Sequence, residues 1–341
     1  MARKQTKSVS NSRDANLDLI RLFAIFGVVV VHVSGHFNFI DSSFLDEILG
    51  LGRYGVQLFF VVSGFLMSTI NSENITWNSF MARRVIRIYP LWLLFSVIAI
   101  FVGESTSFLQ FLIALFFLNT IIPSFINHGW PGGWTISAEM LHYVLFPWLN
   151  KVPKRQFVVL ITSLVTSSFC GWLAYEIPGD SILDQWLNTI APWNTIPFFV
   201  LGMIITRIKF NLNKVATILF VSWIMSAITF HQILPIAALG ISSFFYVAYK
   251  SAIKCKYLVR SIARIGEKTY EIYLVHWMLL GSLDFLEIQN MPNPYLQFIA
   301  IILLSTIMVI VSYFISLILS KYYDSRVKSF LRSKVFQNQM K

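Results

Sequence analysis

The sequence consists largely of apolar runs, many of them close to 20 residues long, separated by short polar loops. This pattern limits the folds that the chain can adopt. A helix needs about 20 mostly apolar residues to cross the hydrocarbon core of a bilayer. Only 13% of the residues are charged, whereas a soluble domain averages about 25%. The runs leave no stretch long enough for a separate soluble domain. The sequence therefore predicts an all-α integral membrane protein with no extra soluble domain.

About ten of these runs predict membrane-spanning helices. They are residues 17–37, 55–70, 88–102, 108–125, 156–175, 189–206, 214–230, 234–249, 269–286 and 296–320. A further, shorter run at 134–149 follows Pro131-Gly132-Gly133 and carries Glu139 and His142. We expect a re-entrant or short helix there, because irregular backbone at membrane depth is tolerated where protein surrounds it.

The net charge of +11 is concentrated in alternate short loops and at both ends of the chain. This distribution is typical of cytoplasmic loops and of contacts with anionic lipids or ligand phosphates, so no nucleic acid is expected as a partner. We predict cytoplasmic basic tails at 1–16 and 321–341 around one membrane domain at 17–320. Cys170 and Cys255 lack metal-ligand spacing, and no metal site or permanently bound cofactor is expected.

The first apolar run carries the most informative polar residues, because ionisable groups at membrane depth are costly and are often functional. Arg21 and His32 are eleven positions apart, which places them on nearly the same helical face and about 16 Å apart along the axis. Asp18 is three residues before Arg21 and can pair with it. For Asp18 and Arg21, a functional role and simple extension of the side chain to the membrane interface are equally good explanations. His32 lies past mid-helix, where we favour a role as a general base.

Arg84 and Arg87 lie three residues apart at the start of the third predicted span. Two arginines on one helical face can bind phosphate oxygens in a bidentate manner. Charge alone favours the simpler interpretation, in which they only mark a cytoplasmic loop.

A second group of polar residues lies later in the chain. Glu139, with Tyr143 one turn on, can pair with Arg21, orient His32 or form a structural ion pair. The remaining candidates are Tyr270, Tyr273 and His276, on one broad face of the next-to-last predicted span. An aromatic stripe at this spacing normally serves packing, but His276 adds a second buried titratable group.

Five motifs together resemble membrane acyltransferase family 3, which includes bacterial sugar O-acetyltransferases. They are the Arg21-to-His32 spacing, Gly55 to Leu66, Arg84 to Pro90, Trp134 to Glu139 followed by Tyr143, and Gly266 to His276. Each motif alone is weak, but five in the order of the family are specific. The chain departs from the usual pattern at Met140, His142 and Thr269, which bears on the shape of the pocket.

The resemblance implies transfer of an acyl group, usually acetyl, from cytoplasmic acetyl-CoA to a hydroxyl of a carbohydrate or lipid-linked glycan at the bacterial inner membrane. Arg84 and Arg87 would then bind the CoA phosphates, and Arg21 would bind the donor or stabilise charge. His32 would act as the base, with Glu139 orienting it as the third member of a triad does. Ser137 and Tyr270 would be oxyanion donors.

Other classes of protein stay open from the sequence. A transporter or channel also places polar residues within many helices, although no inverted repeat is visible. A scaffold of a polysaccharide assembly complex would tolerate substitution of His32 and Glu139. A succinyl or longer acyl donor, the acceptor sugar and the oligomeric state are equally open.

Overall fold

The computed structural model describes residues 14–37, 44–69, 76–104, 107–126, 128–176, 181–207, 233–250 and 262–337. Within these ranges the regular elements are helices and there is no strand. The α-helices are α1 (Ala15–His36), α2 (Phe44–Gly50), α3 (Gly55–Thr69), α4 (Trp77–Phe101), α5 (Phe108–Leu115), α6 (Gly133–Lys151), α7 (Pro153–Glu176), α8 (Ser181–Gln185), α9 (Pro192–Ile205), α10 (Ile233–Lys250), α11 (Thr269–Leu280), α12 (Pro294–Leu319) and α13 (Ser325–Gln337).

Six helical stretches in the described part of the chain are long and apolar enough to cross a membrane. They are Ala15–His36, Phe44–Thr69, Trp77–Phe101, Pro153–Ala174, Ile182–Ile205 and Pro294–Ser333. The chain is thus an all-helical, multi-pass membrane protein over these residues. The larger number of about ten crossings stays a prediction, and the predicted span at 214–230 lies outside the described residues.

The predicted spans at 88–102 and 108–125 differ from the helices that form. α4 begins at Trp77, where the Thr76 side chain accepts a hydrogen bond from Ser79 N at 3.3 Å, so the arginines near residue 85 lie inside the helix. The prediction of a continuous helix over 108–125 is wrong, since α5 ends at Leu115. The Asn119 amide donates to the carbonyl oxygens of Phe125 at 3.0 Å and His128 at 2.8 Å. These bonds satisfy irregular backbone that apolar composition alone cannot reveal.

The short run at 134–149 is helical, and α6 extends it at both ends. Its N-cap is Gly132, whose φ of +74° lies in the left-handed region that favours glycine. The loop before α6 is fastened to α11, since Trp130 Nε1 donates to Leu274 O at 3.0 Å and Tyr273 Oη donates to Gly132 O at 2.9 Å. The re-entrant topology itself stays a prediction.

Close helix contacts hold the middle of the molecule together. Gly64 of α3 lies against the backbone of Phe199 in α9, and Gly202 of α9 lies against the backbone of Val61 in α3. Small residues allow two membrane helices to approach at backbone distance, where dispersion forces are strongest. α1 packs against α3, α11 and α12, so polar residues from several helices meet beside α1.

The end of the chain is more helical than the apolar runs alone indicate. α11 is shorter than the run at 269–286, because the chain passes into a 3₁₀ turn at Gly281–Leu283. α12 continues through a π-helical turn at Ser320–Asp324 into α13. The segment predicted as a basic tail from residue 321 is therefore helical as far as Gln337.

Candidate functional site

Two histidines from opposite ends of the sequence form an edge-to-edge, hydrogen-bonded pair where α1 meets α11. His32 Nδ1 lies 2.9 Å from His276 Nε2, and the two rings are nearly parallel, with centroids 5.1 Å apart. His276 is fully buried, whereas His32 is partly exposed. The Nδ1 atom of His276 lies 3.3 Å from the carbonyl oxygen of Ile272. The structure thus brings together two of the residues that the sequence singled out.

The order of these contacts determines where the protons lie. A carbonyl oxygen only accepts hydrogen bonds, so His276 Nδ1 carries a proton and His276 Nε2 is left as an acceptor. His32 Nδ1 must then donate to it, which leaves the lone pair of His32 Nε2 outside the pair. A neutral imidazole held in this tautomer can accept a proton from a hydroxyl group.

A cavity of about 700 Å³, open mouth included, lies between α1, α3, α4, α6 and α11 and has both polar and apolar side chains in its lining. Its lining includes six of the predicted site residues: Arg21, Arg87, Glu139, Tyr143, Tyr270 and Tyr273. Tyr273 connects the cavity to the histidine pair, because its ring centroid lies 5.5 Å from that of His276. The cavity and the histidine pair are therefore neighbouring parts of one buried polar region.

The cationic side of the cavity is formed by α1 and α4. Arg21 Nη1 bonds to Asp18 Oδ1 at 2.8 Å, and Asp18 is buried, as the spacing of three predicted. Arg87 is exposed to the cavity, whose lining also carries Glu139. An open cavity lined by arginine can hold an anion such as a phosphate.

Arg84 lies behind this wall and is held by aromatic rings. Its guanidinium carbon is 5.2 Å from the ring centroids of both Phe80 and Tyr143. Its Nε atom is buried and has no hydrogen-bond partner among the described residues. Arg84 and Arg87 are therefore not equivalent, because only Arg87 lines the cavity.

Glu139 has other partners than the one expected. Its Oε1 atom accepts hydrogen bonds from Tyr143 Oη and, at 3.2 Å, from Ser63 Oγ. The predicted contact of Glu139 with His32 does not form within the described residues, since His276 occupies the position of the orienting group. The sequence alone does not show whether Glu139 or His276 will contact His32, because both are distant from it along the chain.

The two suggested oxyanion donors are both engaged elsewhere. Ser137 is fully buried and its hydroxyl contacts Asn119 Oδ1 at 3.3 Å and Gly133 O at 3.2 Å. Tyr270 lines the cavity, but its hydroxyl donates to Ile88 O at 2.8 Å. Each hydroxyl has one proton to give, so this geometry corrects the expectation for both residues.

Three polar residues of the site were not singled out by the sequence. Ser63 donates to Glu139, and Thr135 lines the cavity while its hydroxyl donates to Gly132 O at 2.9 Å. The indole of Trp277 packs on His32 with ring centroids 4.3 Å apart. Ser63 and Thr135 lie within motifs that carry the family resemblance, and Trp277 follows His276 directly, so all three positions carried a signal. In the described part of the chain, no group of three or more His, Cys, Asp or Glu residues is placed to hold a metal ion.

Comparisons with known proteins agree with this architecture. Residues 14–320 match the model of the acyltransferase 3 family, which is described as an acyltransferase domain. No solved structure matches the chain.

Three curated relatives are similar to parts of the chain. The acyltransferase MdmB of Streptomyces mycarofaciens is 26% identical over 313 residues, which cover 76% of this chain and 77% of the relative. The exopolysaccharide production protein ExoZ of Rhizobium meliloti is 31% identical over 167 residues, covering 46% of this chain and 50% of the relative. YrhL of Bacillus subtilis, named as a candidate peptidoglycan O-acetyltransferase, is 25% identical over 194 residues, covering 48% and 29%. The chain thus matches half or less of the last two relatives.

Proposed function

The chain belongs to the acyltransferase 3 family, and from this premise we propose that it transfers an acetyl group from acetyl-CoA to a hydroxyl group of a cell-envelope carbohydrate. The observation that carries the proposal is the His32–His276 pair beside a cavity lined by Arg21 and Arg87. A histidine that can act as a base and arginines that can bind an anion lie in neighbouring parts of the molecule, which supports the proposal. Since the chain is an acyltransferase, the transporter and scaffold alternatives are set aside.

His32 acts as the general base, and His276 holds it in the productive tautomer. The carbonyl of Ile272 orients His276, which in turn accepts from His32 Nδ1. His32 Nε2 is left to take the proton of the acceptor hydroxyl. The role resembles that of the third member of a catalytic triad, which fixes the tautomer and orientation of the base, but here a neutral imidazole performs it.

The arginine-lined cavity holds the donor. Arg87 binds a phosphate oxygen of acetyl-CoA, and Arg21, restrained by Asp18, adds a second positive charge. Arg21 and His32 are separated by about 16 Å along α1, which leaves room for the extended arm that joins the CoA phosphates to the thioester. Arg84 supports Tyr143 and, through it, Glu139.

The reaction then has two steps at the thioester carbon. The acceptor oxygen forms a bond to the carbonyl carbon as His32 Nε2 takes its proton, and the C=O electron pair moves to the carbonyl oxygen. The carbonyl re-forms, the C–S bond breaks, and the CoA sulfur takes the proton from His32. The products are an acetyl ester and free CoA, and His32 returns to its neutral form.

The names of two relatives support a carbohydrate acceptor. ExoZ is named for exopolysaccharide production and YrhL for peptidoglycan O-acetylation. The acceptor is accordingly an exopolysaccharide, O-antigen or related lipid-linked glycan. We place the protein in the bacterial inner membrane with both termini in the cytoplasm, around a membrane domain at 17–320, because the basic loops favour that orientation.

The test compares surface glycans from cells that lack the gene with cells that carry the wild-type or the His32→Ala gene. Mass spectrometry should detect an added acetyl group only with the wild-type gene. Removal of a positioned base lowers the rate by about 10²–10⁴-fold, so His32→Ala should leave no detectable ester at equal amounts of inserted protein. Normal acetylation in that variant contradicts the role of His32. Succinyl in place of acetyl would change the donor and keep the mechanism.

A further inference from the structure

The indole N–H of Trp277 is buried and has no hydrogen-bond partner among the residues that the structure describes. A buried donor without a partner loses the hydrogen bonds that it made to water, and native proteins leave few such groups unless a ligand or water meets them. Trp277 is therefore a donor without a partner among these described residues, and it is available to a ligand.

Other indoles of this protein show how the fold treats such groups. Trp92 donates to Ala114 O at 2.9 Å, Trp130 to Leu274 O at 3.0 Å and Trp186 to Thr120 O at 2.9 Å. Each meets a backbone carbonyl at good hydrogen-bond length. Trp193 shares the unpartnered state of Trp277, but its ring packs on Trp186. Among the described residues, Trp193 makes no ring contact with His32 or His276.

The location of Trp277 is what separates it from Trp193. Its ring centroid lies 4.3 Å from that of His32 and 5.5 Å from that of His276. Its Nε1 atom faces Gly132, since a Cβ atom added there would lie 3.2 Å away. The free N–H therefore belongs to the same cluster as the base and to the loop that leads into α6.

The hydroxyl groups of the two expected oxyanion donors, and that of Tyr273 beside His276, already have acceptors. Ser137 contacts Asn119 and Gly133, Tyr270 donates to Ile88 O, and Tyr273 donates to Gly132 O at 2.9 Å. A tetrahedral intermediate needs a donor aimed at its oxygen, and such donors are among the largest contributors to acyl transfer. Trp277 has the unused hydrogen that this task requires.

We propose that Trp277 is a catalytic residue whose Nε1–H donates a hydrogen bond to the carbonyl oxygen of the acyl group as that oxygen becomes negative. The proposal rests on the proposed function. The acceptor oxygen bonds to the thioester carbon, His32 Nε2 takes the hydroxyl proton, and the displaced electron pair resides on the oxygen that Trp277 contacts. When the C–S bond breaks, the pair returns to the carbonyl and the sulfur takes the proton from His32.

The experiment replaces Trp277 with phenylalanine and, separately, with β-(3-benzothienyl)alanine, which keeps the bicyclic shape and lacks the N–H. Trp193→Phe is the matched control, because it removes a buried unpartnered N–H away from the histidine pair. Removal of one oxyanion donor costs about 10²–10³-fold in kcat. We expect a loss of that size in both Trp277 variants, an unchanged KM for acetyl-CoA, and a kcat within a few-fold of wild type in Trp193→Phe.

Each outcome has a distinct meaning. Wild-type kcat in the benzothienyl variant overturns the assignment of Trp277, whether or not Trp277→Phe inserts normally. An equal loss in the Trp193 control also overturns it, because packing then explains both effects. If His32→Ala is fully active, the proposed function fails. If His32→Ala is inactive and the Trp277 variants are active, only the present inference fails.

Discussion

The two ends of the buried polar region are built in opposite ways. At one end, His32 and His276 lie edge to edge within hydrogen-bond distance, and Trp277 packs on His32. At the other end, Arg21, Arg87 and Glu139 surround an open space. Close packing fixes one tautomer and one orientation, which proton transfer requires, whereas open space and charge accommodate a ligand with phosphates. The difference indicates that chemistry and donor binding are separable functions of this site.

The largest expected effect comes from the packed end. His276→Ala removes the acceptor for His32 Nδ1, so the base loses its fixed tautomer and kcat should fall about 10²–10³-fold. His276→Gln should recover part of this loss, since an amide oxygen can accept the same hydrogen bond. Steady-state kinetics with acetyl-CoA and acceptor measure both variants, and the KM for acetyl-CoA should stay near the wild-type value. Equal activity in the alanine and glutamine variants would show that His276 does not position the base.

At the open end, substitution should change the KM for acetyl-CoA and leave kcat nearly unchanged. Arg87→Ala removes a charge-assisted contact worth about 1.5–3 kcal/mol, so the KM for acetyl-CoA should rise about 10- to 100-fold while kcat changes little. Arg83→Ala is the matched control, because Arg83 is exposed on the same helix and does not line the cavity. Titration of acetyl-CoA at saturating acceptor gives both constants. A similar rise in KM in both variants would show that loss of positive charge anywhere on this helix explains the effect, and that Arg87 does not bind the donor.

The smallest effect on the reaction is expected in the loop that joins the two ends, where substitution should change stability. Gly132→Ala forces a side chain into left-handed backbone at φ +74° and against Tyr273 Oη, whereas Gly103→Ala meets only the backbone strain, because open space surrounds Gly103 at φ +83°. The strain costs about 1–2 kcal/mol and overpacking adds about 1–3 kcal/mol. Thermal unfolding in detergent should therefore show a larger decrease in Tm for Gly132→Ala. Equal decreases would mean that the loop is not tightly held against α11.

The packed and open ends also differ in how far the sequence predicts them. Arg21, Asp18 and His32 are related by helical spacing, so the α1 stripe and the Arg21–Asp18 pair follow from periodicity. The contact of His32 with His276 joins residues 244 positions apart in the sequence, and no spacing rule predicts which helices pack together. For the same reason the sequence leaves both Arg21 and His32 open as partners of Glu139, whereas Ser63 and Tyr143 donate to it in the structure.

The helices also differ in how well local sequence predicts them. The first span was predicted to within about two residues at its start, because a long apolar helix is mostly a local property. The helix predicted over 108–125 ends at Leu115, since Phe117 has a φ of +59°, outside the helical region, and the Asn119 side chain donates to carbonyl oxygens of the irregular backbone that follows. Such a backbone turn and side-chain hydrogen bonds leave no mark in hydropathy.

The most direct test of the division between the two ends measures donor affinity and chemistry in the same preparation. Wild-type, His32→Ala and Arg87→Ala proteins in lipid nanodiscs would be compared for the Kd of CoA and for the single-turnover rate of acetyl transfer at saturating acetyl-CoA. We expect His32→Ala to bind CoA like the wild type and to transfer no acetyl group, whereas Arg87→Ala should bind CoA weakly and transfer at nearly the wild-type rate once saturated. Transfer by His32→Ala at the wild-type rate would contradict the separation of chemistry from donor binding.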